Sequence, residues 1–222
     1  MSWLITYVNS SVGKKNAMAV TGLLLCGFLV SHLLGNFLLF VGSDAFNLYA
    51  YTLTSNPLIY VAEAGLAAIF LSHLGLAFKL NLENKMARPN SYFAYNKGGQ
   101  ATLASRTMAI TGAIIFVFLV THLIQFKFGA YYETTVDGVV MRDLHKLVIE
   151  SFENPLNIAW YVFACAAAAL HVSHGFRSAF QSMGFRHPKY SPIIGWASVG
   201  FALFVAIGYC ALPIWCASQG SN

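Results

Sequence analysis

Apolar residues run along this chain in five blocks bounded by charge. Asp, Glu, Lys and Arg are absent between Lys15 and Asp44, between Asp44 and Lys79 except for Glu63, between Arg106 and Lys127, between Glu153 and Arg177, and from Tyr190 to the C-terminus. A helix rising 1.5 Å per residue crosses the hydrocarbon core in roughly 20 residues. Each block therefore predicts one transmembrane helix, over about 17–41, 57–79, 105–127, 155–177 and 191–216. The expected fold is an all-α integral membrane protein, one domain over 1–222.

Composition agrees with that pattern. Of 222 residues 57% are hydrophobic and 9% charged, where a soluble domain carries about 25% charge. The first block, Ala17 to Val41, exceeds a signal-peptide core and no small-residue cleavage site follows it, so it is expected to stay in the membrane. The net charge of +5 calls for no nucleic acid, because the basic residues flank hydrophobic spans, where they orient the chain and meet anionic lipid. With the N-terminus inside, that side carries Lys14, Lys15, Lys79, Lys85, Arg88, Lys97, Arg106, Arg177, Arg186 and Lys189, ten of the thirteen basic residues. Only Lys127, Arg142 and Lys146 fall outside. This bias predicts a cytoplasmic N-terminus. The four cysteines, Cys26, Cys165, Cys210 and Cys216, lack both the covalent-haem and the iron–sulfur spacings.

The blocks repeat. Met18, Ala19, Thr21, Gly22, Phe28, Leu29, Val30, His32 and Leu33 match Met108, Ala109, Thr111, Gly112, Phe118, Leu119, Val120, His122 and Leu123 at an offset of 90. Spans two and four match more faintly at an offset of 98, through Asn56-Pro57-Leu58 against Asn154-Pro155-Leu156 and His73 against His171. A helix pair thus occurs twice in the same direction, which implies a pseudo-two-fold axis along the membrane normal. Span five has no counterpart.

The repeat sets depth. His32 and His122 lie 17 and 16 residues above Lys15 and Arg106, about 25 Å up by the helical rise. His73 and His171 each lie 6 residues from Lys79 and Arg177, about 9 Å up by the same rise. Four histidines, one on each of four successive helices, form two level pairs. Facing helices can clamp a haem between two neutral imidazoles, so His32 and His122 are candidate axial ligands to the iron of an outer haem, His73 and His171 to that of an inner one. A lone intramembrane His is as readily a polar group bonded to a neighbouring helix; four matched in depth are what two sandwiched haems require.

Other residues add detail. Gly22 and Gly112 fall 10 residues below their histidines, at the inner pair's depth; a missing side chain there suits a porphyrin edge or close helix packing equally. Glu63, the acid within a span, falls near the outer pair's depth and is a candidate quinone and proton residue, because burying it without a partner is costly. His174, one turn from His171, and Arg177, Arg106, Lys14 and Lys15 are candidates for the inner haem's propionates, although snorkelling to headgroups also suits the basic residues. His145 and His187 fall in polar connections.

The chain resembles the single-chain, two-haem cytochrome b subunit of succinate:quinone oxidoreductase and quinol:fumarate reductase. The resemblance rests on Ser31-His32-Leu33-Leu34-Gly35-Asn36, Asn84-Lys85-Met86-Ala87-Arg88-Pro89, Val148-Ile149-Glu150-Ser151-Phe152-Glu153-Asn154-Pro155, and the stretch from Leu170-His171-Val172-Ser173-His174-Gly175 to Gln181. It covers nearly the whole chain, and His32, His73, His122 and His171 match the family's four haem positions. It implies two b haems, a quinone substrate, a flavoprotein and an iron–sulfur subunit docked on the cytoplasmic face, and a bacterial cytoplasmic membrane. Menaquinone and ubiquinone both suit the residues, as do succinate oxidation and fumarate reduction. Cytochrome b anchors of membrane hydrogenases, formate dehydrogenases and nitrate reductases also use bis-histidine haems, but one His on each of four successive helices fits the succinate/fumarate type. A haem-free transporter or structural anchor, with Glu63 and the histidines as a proton path, is the reading from another class and predicts a colourless protein.

Overall fold

The computed structural model describes residues 2–87 and 102–220. Arg88, Pro89 and Lys97 lie outside the described residues. Among the described residues five helices are long and apolar enough to cross a membrane: Ser11–Phe40, Leu58–Met86, Met108–Lys127, Pro155–Ser182 and Ser191–Gln219. In chain order the elements are α1 (Ser2–Asn9), α2 (Ser11–Asn36, prolonged by a 3₁₀ turn at Phe37–Phe40), α3 (Ser43–Thr54), α4 (Leu58–Met86) and α5 (Leu103–Arg106). They continue with α6 (Met108–His122, prolonged by a π turn at Leu123–Lys127), β1 (Glu133–Val136), β2 (Val139–Arg142), α7 (Leu144–Ser151), α8 (Pro155–Ser182) and α9 (Ser191–Gln219). Four helices overrun the predicted spans, α9 by only residues 217–219. α2 begins at Ser11, α4 continues to Met86 and α8 to Ser182, because a charge marks where hydrocarbon must end and not where a helix must.

Local chemistry sets the ends. The repeated Asn-Pro-Leu is a helix start used twice: Asn56 Oδ1 accepts from the Leu58 N–H at 3.0 Å and Asn154 Oδ1 from the Leu156 N–H at 2.9 Å. Proline in the first turn sacrifices no intrahelical bond. Ser10 caps α2 by accepting from the Gly13 N–H at 3.0 Å, and a Cβ on Gly13 would fall 2.0 Å from the Tyr7 carbonyl oxygen, so glycine permits the tight elbow between α1 and α2.

Among the described residues the expected all-helical architecture holds apart from one hairpin. β1 and β2 pair antiparallel, Glu133 opposite Arg142 through Val136 opposite Val139, around Asp137 and Gly138, both at positive φ; Asp-Gly favours such a turn. The hairpin, α3 and α7 form a cap over one end of the bundle. Asn47, 1% exposed, donates to Asp143 Oδ1 at 2.8 Å and accepts from the His145 N–H at 2.9 Å, joining α3 to α7. Arg142 reaches the Gly129 and Ala130 carbonyls at 3.3 and 2.9 Å, tying the hairpin to the end of the third span. The opposite end carries Lys14, Lys15, Lys79, Arg106 and Arg177 and is called the basic end below.

α8 is the central helix, packed against α2, α6 and α9, while α4 lies along α2. α9, the span without a counterpart, locks α2 to α8. Its Tyr209 hydroxyl donates to the Leu29 carbonyl at 2.7 Å, its Ser198 hydroxyl to the Ser173 carbonyl, and Gly208 lies so close to Leu33 that an added Cβ would come within 2.5 Å of Cδ2. No described residue of α4 is buried, so this helix presents apolar surface nearly all round, as a lipid-facing span does.

At the basic end Lys14 of α2 bonds both carboxylate oxygens of Glu83 on α4, at 2.5 and 2.6 Å. The Lys14 side chain is 10% exposed and that of Glu83 35%. Removing one partner of a fully buried pair costs about 3–5 kcal/mol; because Glu83 keeps water, Lys14→Ala is expected to cost about 1–3 kcal/mol. Thermal unfolding in mild detergent measures it, and an unchanged midpoint would show that the pair contributes nothing.

Candidate functional site

The outer histidines meet across the bundle. His32 of α2 and His122, the last residue of α6, have ring centroids 5.9 Å apart with planes at 89°. Metal–imidazole bonds of about 2.0–2.1 Å put two rings on opposite sides of one metal with centroids about 6 to 6.5 Å apart. The observed spacing therefore suits a shared iron, and any angle between the planes is compatible, since each imidazole's lone pair lies in its own ring plane.

Hydrogen bonds choose the tautomer of His122. Its Nδ1 lies 3.3 Å from the Tyr161 hydroxyl, which itself donates to Gln125 Oε1 at 2.8 Å. With its one proton committed to Gln125, the phenol oxygen accepts from Nδ1–H, and Nε2 keeps a free lone pair, the state a metal ligand needs. Phe118, Phe126 and Phe152 surround the Tyr161 ring, and Tyr161 is 5% exposed. His32 stacks on Phe28, one turn earlier, at 5.2 Å and lies 6.2 Å from the Tyr209 ring.

The inner pair is built twice from the same parts. His73 of α4 bonds through Nδ1 to Thr21 Oγ1 of α2 at 3.1 Å, and His171 of α8 through Nδ1 to Thr111 Oγ1 of α6 at 3.1 Å. The two imidazoles lie within electrostatic reach of each other. Gly22 and Gly112 sit beside them: an added Cβ would fall 3.2 Å from His73 Cε1 and 3.5 Å from His171 Cε1. At these points the missing side chains admit the imidazole of the paired helix.

Among the described residues no group of three or more His, Cys, Asp and Glu side chains forms a site for a bare metal ion. A pair of imidazoles completes the shell of an iron that already holds four porphyrin nitrogens. The donor set thus fits haem: two imidazoles per site in apolar surroundings, with Nδ1 of three of the four hydrogen-bonded to a hydroxyl group. Comparison of the chain with protein-family models, characterised proteins and solved structures returned no match.

The remaining candidates separate. Glu63 forms an ion pair with Lys127 of the π turn, the two side chains 43% and 42% exposed, so its charge is met by a partner from α6. Phe70 and Phe116 cross the same α4 to α6 boundary, rings nearly parallel at 6.4 Å. Arg177 lies with Pro188, Ser191 and Trp196 along the groove where α8 turns into α9, and His174 is half-buried within its electrostatic reach. Arg106 ends α5 and is exposed, as is Lys15; Lys14 is engaged by Glu83. His145 packs on Phe46 at 6.4 Å, and its burial lowers its pKa against an opposing pull from Asp143. His187 accepts from the Lys189 N–H at 3.2 Å.

Sequence reasoning assigned no role to Tyr161, Gln125, Thr21 or Thr111. A usable signal existed for the threonines, which stand beside Gly22 and Gly112 in both copies of the repeat. Tyr161 and Gln125 have no counterpart of that kind.

Proposed function

We propose that this chain is the di-haem cytochrome b subunit of a succinate:quinone oxidoreductase or quinol:fumarate reductase, anchoring the complex in a bacterial cytoplasmic membrane and reacting with quinone. The observation that carries the reading is the two histidine pairs, the rings of His32 and His122 5.9 Å apart and His73 within electrostatic reach of His171, with three of the four Nδ1 atoms bonded to hydroxyl groups. Haem b, when bound, supplies one-electron chemistry that no side chain here provides.

His32 and His122 hold one haem, His73 and His171 the other. Tyr161, with Gln125 behind it, orients His122. The phenylalanines around Tyr161 keep water from the outer site, which raises the influence of each hydrogen bond there. Glu63, half-exposed at the boundary between α4 and α6 and paired with Lys127, takes up the proton that quinol releases or gives one to reduced quinone. The exposed cations of the basic end, Lys15, Arg106 and Arg177, form the face for the iron–sulfur subunit, which the flavoprotein in turn supplies. Dicarboxylate chemistry belongs to that flavoprotein.

The test is a dithionite-reduced minus oxidised spectrum of the purified complex with a haem-to-protein ratio. Two b haems per chain are expected. A colourless preparation would overturn the reading and bring forward a haem-free transporter or anchor.

A further inference from the structure

The sequence repeat carries more than the histidines. Thr21 and Thr111 correspond at the offset of 90, yet each bonds a histidine of the neighbouring helix, His73 and His171, at the same 3.1 Å. The donor direction follows once Nε2 is committed to a metal, because the imidazole's one proton then sits on Nδ1. Thr21 Oγ1 lies 2.9 Å from the Ala17 carbonyl oxygen and 3.1 Å from that of Met18; Thr111 Oγ1 lies 3.0 Å from Thr107 and 3.2 Å from Met108. Nδ1–H then offers no lone pair, so the hydroxyl's one proton goes to a helix carbonyl. The same oxygen then accepts from the imidazole Nδ1–H. Thr111 is 4% exposed, so water does not replace it. The adjacent glycines leave room for the ring close beside the neighbouring helix.

We propose that Thr21 and Thr111 are positioning residues that fix the tautomer and rotation of His73 and His171, and so set the reduction potential of the haem those two hold. This rests on the haem reading above. A hydrogen bond to Nδ1–H makes the opposite nitrogen a stronger donor and favours the oxidised metal. Losing it moves the potential upward.

The contacts cross between helices, which makes the consequence specific. Thr21 shares α2 with His32, a ligand of the other pair, but touches His73. In the purified complex, Thr21→Val and Thr111→Val are each expected to shift the same midpoint potential to a more positive value and to move that haem's low-spin electron paramagnetic resonance signal. This haem is the one lost in His73→Ala, and the other should stay at its wild-type potential. Thr21→Ser and Thr111→Ser, which retain the hydroxyl, should stay near wild type in both readouts. If the valine variants lose that haem while the serine variants keep it, the hydroxyls are needed to hold the histidines and the proposal stands. Valine variants identical to wild type, a shift in the His32/His122 haem, or serine variants as defective as the valine ones would overturn it. A wild-type preparation without haem would instead sink the reading on which it rests.

Discussion

Alanine at His32 or at His122 is expected to remove one b haem and leave the other, and alanine at His73 or at His171 to remove the second. Each variant should fall from two haems per chain to about one, because losing one of two axial bonds leaves a porphyrin held mainly by apolar contacts. The ring centroids of His32 and His122, 5.9 Å apart, are close enough for these two to act on a single centre. Quinone turnover should fall by about 10² or more in all four, since a chain of electron carriers conducts no faster than its missing link allows. Redox titration of the single variants checks the pairing: His32→Ala and His122→Ala must leave the same midpoint potential. Loss of the same haem from His32→Ala and His73→Ala would refute the pairing while keeping the haems.

Glu63→Gln is expected to lower quinone turnover by about 10² while both haems and their potentials are retained, the size of effect that removal of a proton-transferring group usually has. The ion pair with Lys127 offers a competing account in which Glu63 only clasps α4 to α6. A double-mutant cycle separates them. If the pair is a clasp, Glu63→Gln and Lys127→Met lose activity and thermal stability together, and the double variant is less impaired than the sum of its parts. If the carboxyl moves the proton, the double variant stays as slow as Glu63→Gln. Wild-type turnover in Glu63→Gln would remove Glu63 from the quinone chemistry.

The spans were legible because hydrocarbon imposes its demand on each helix separately: every backbone group must be satisfied within the segment, so hydropathy alone marks Leu58 to Lys79 as a helix. The cap was not. α3 and α7 lie on the end of the bundle and mix polar with apolar residues, as in Leu144-His145-Lys146-Leu147, and Asn47 finds Asp143 and His145 only once the chain has closed nearly a hundred positions later. Glu63 illustrates the same limit at the site. Its depth could be counted, but its partner Lys127 stands 64 positions away at the end of another helix.

By itself the sequence determined that five segments are apolar enough for membrane-crossing helices, that a pair of them repeats, and at what height along each of the first four a histidine stands. Helical rise and charge placement are properties of one segment, and they suffice for height. Only the tertiary structure decided rotation and partnership: that His32 turns toward His122, that Thr21 faces His73 across to α4, that Tyr161 stands between His122 and Gln125, and that Arg177 turns toward α9. The reason is physical. A helix that is apolar on nearly every face, as α4 and α6 are, has no hydrophobic stripe to announce which side faces its neighbours, so its rotation is set by the hydrogen bonds and close contacts it makes only after packing.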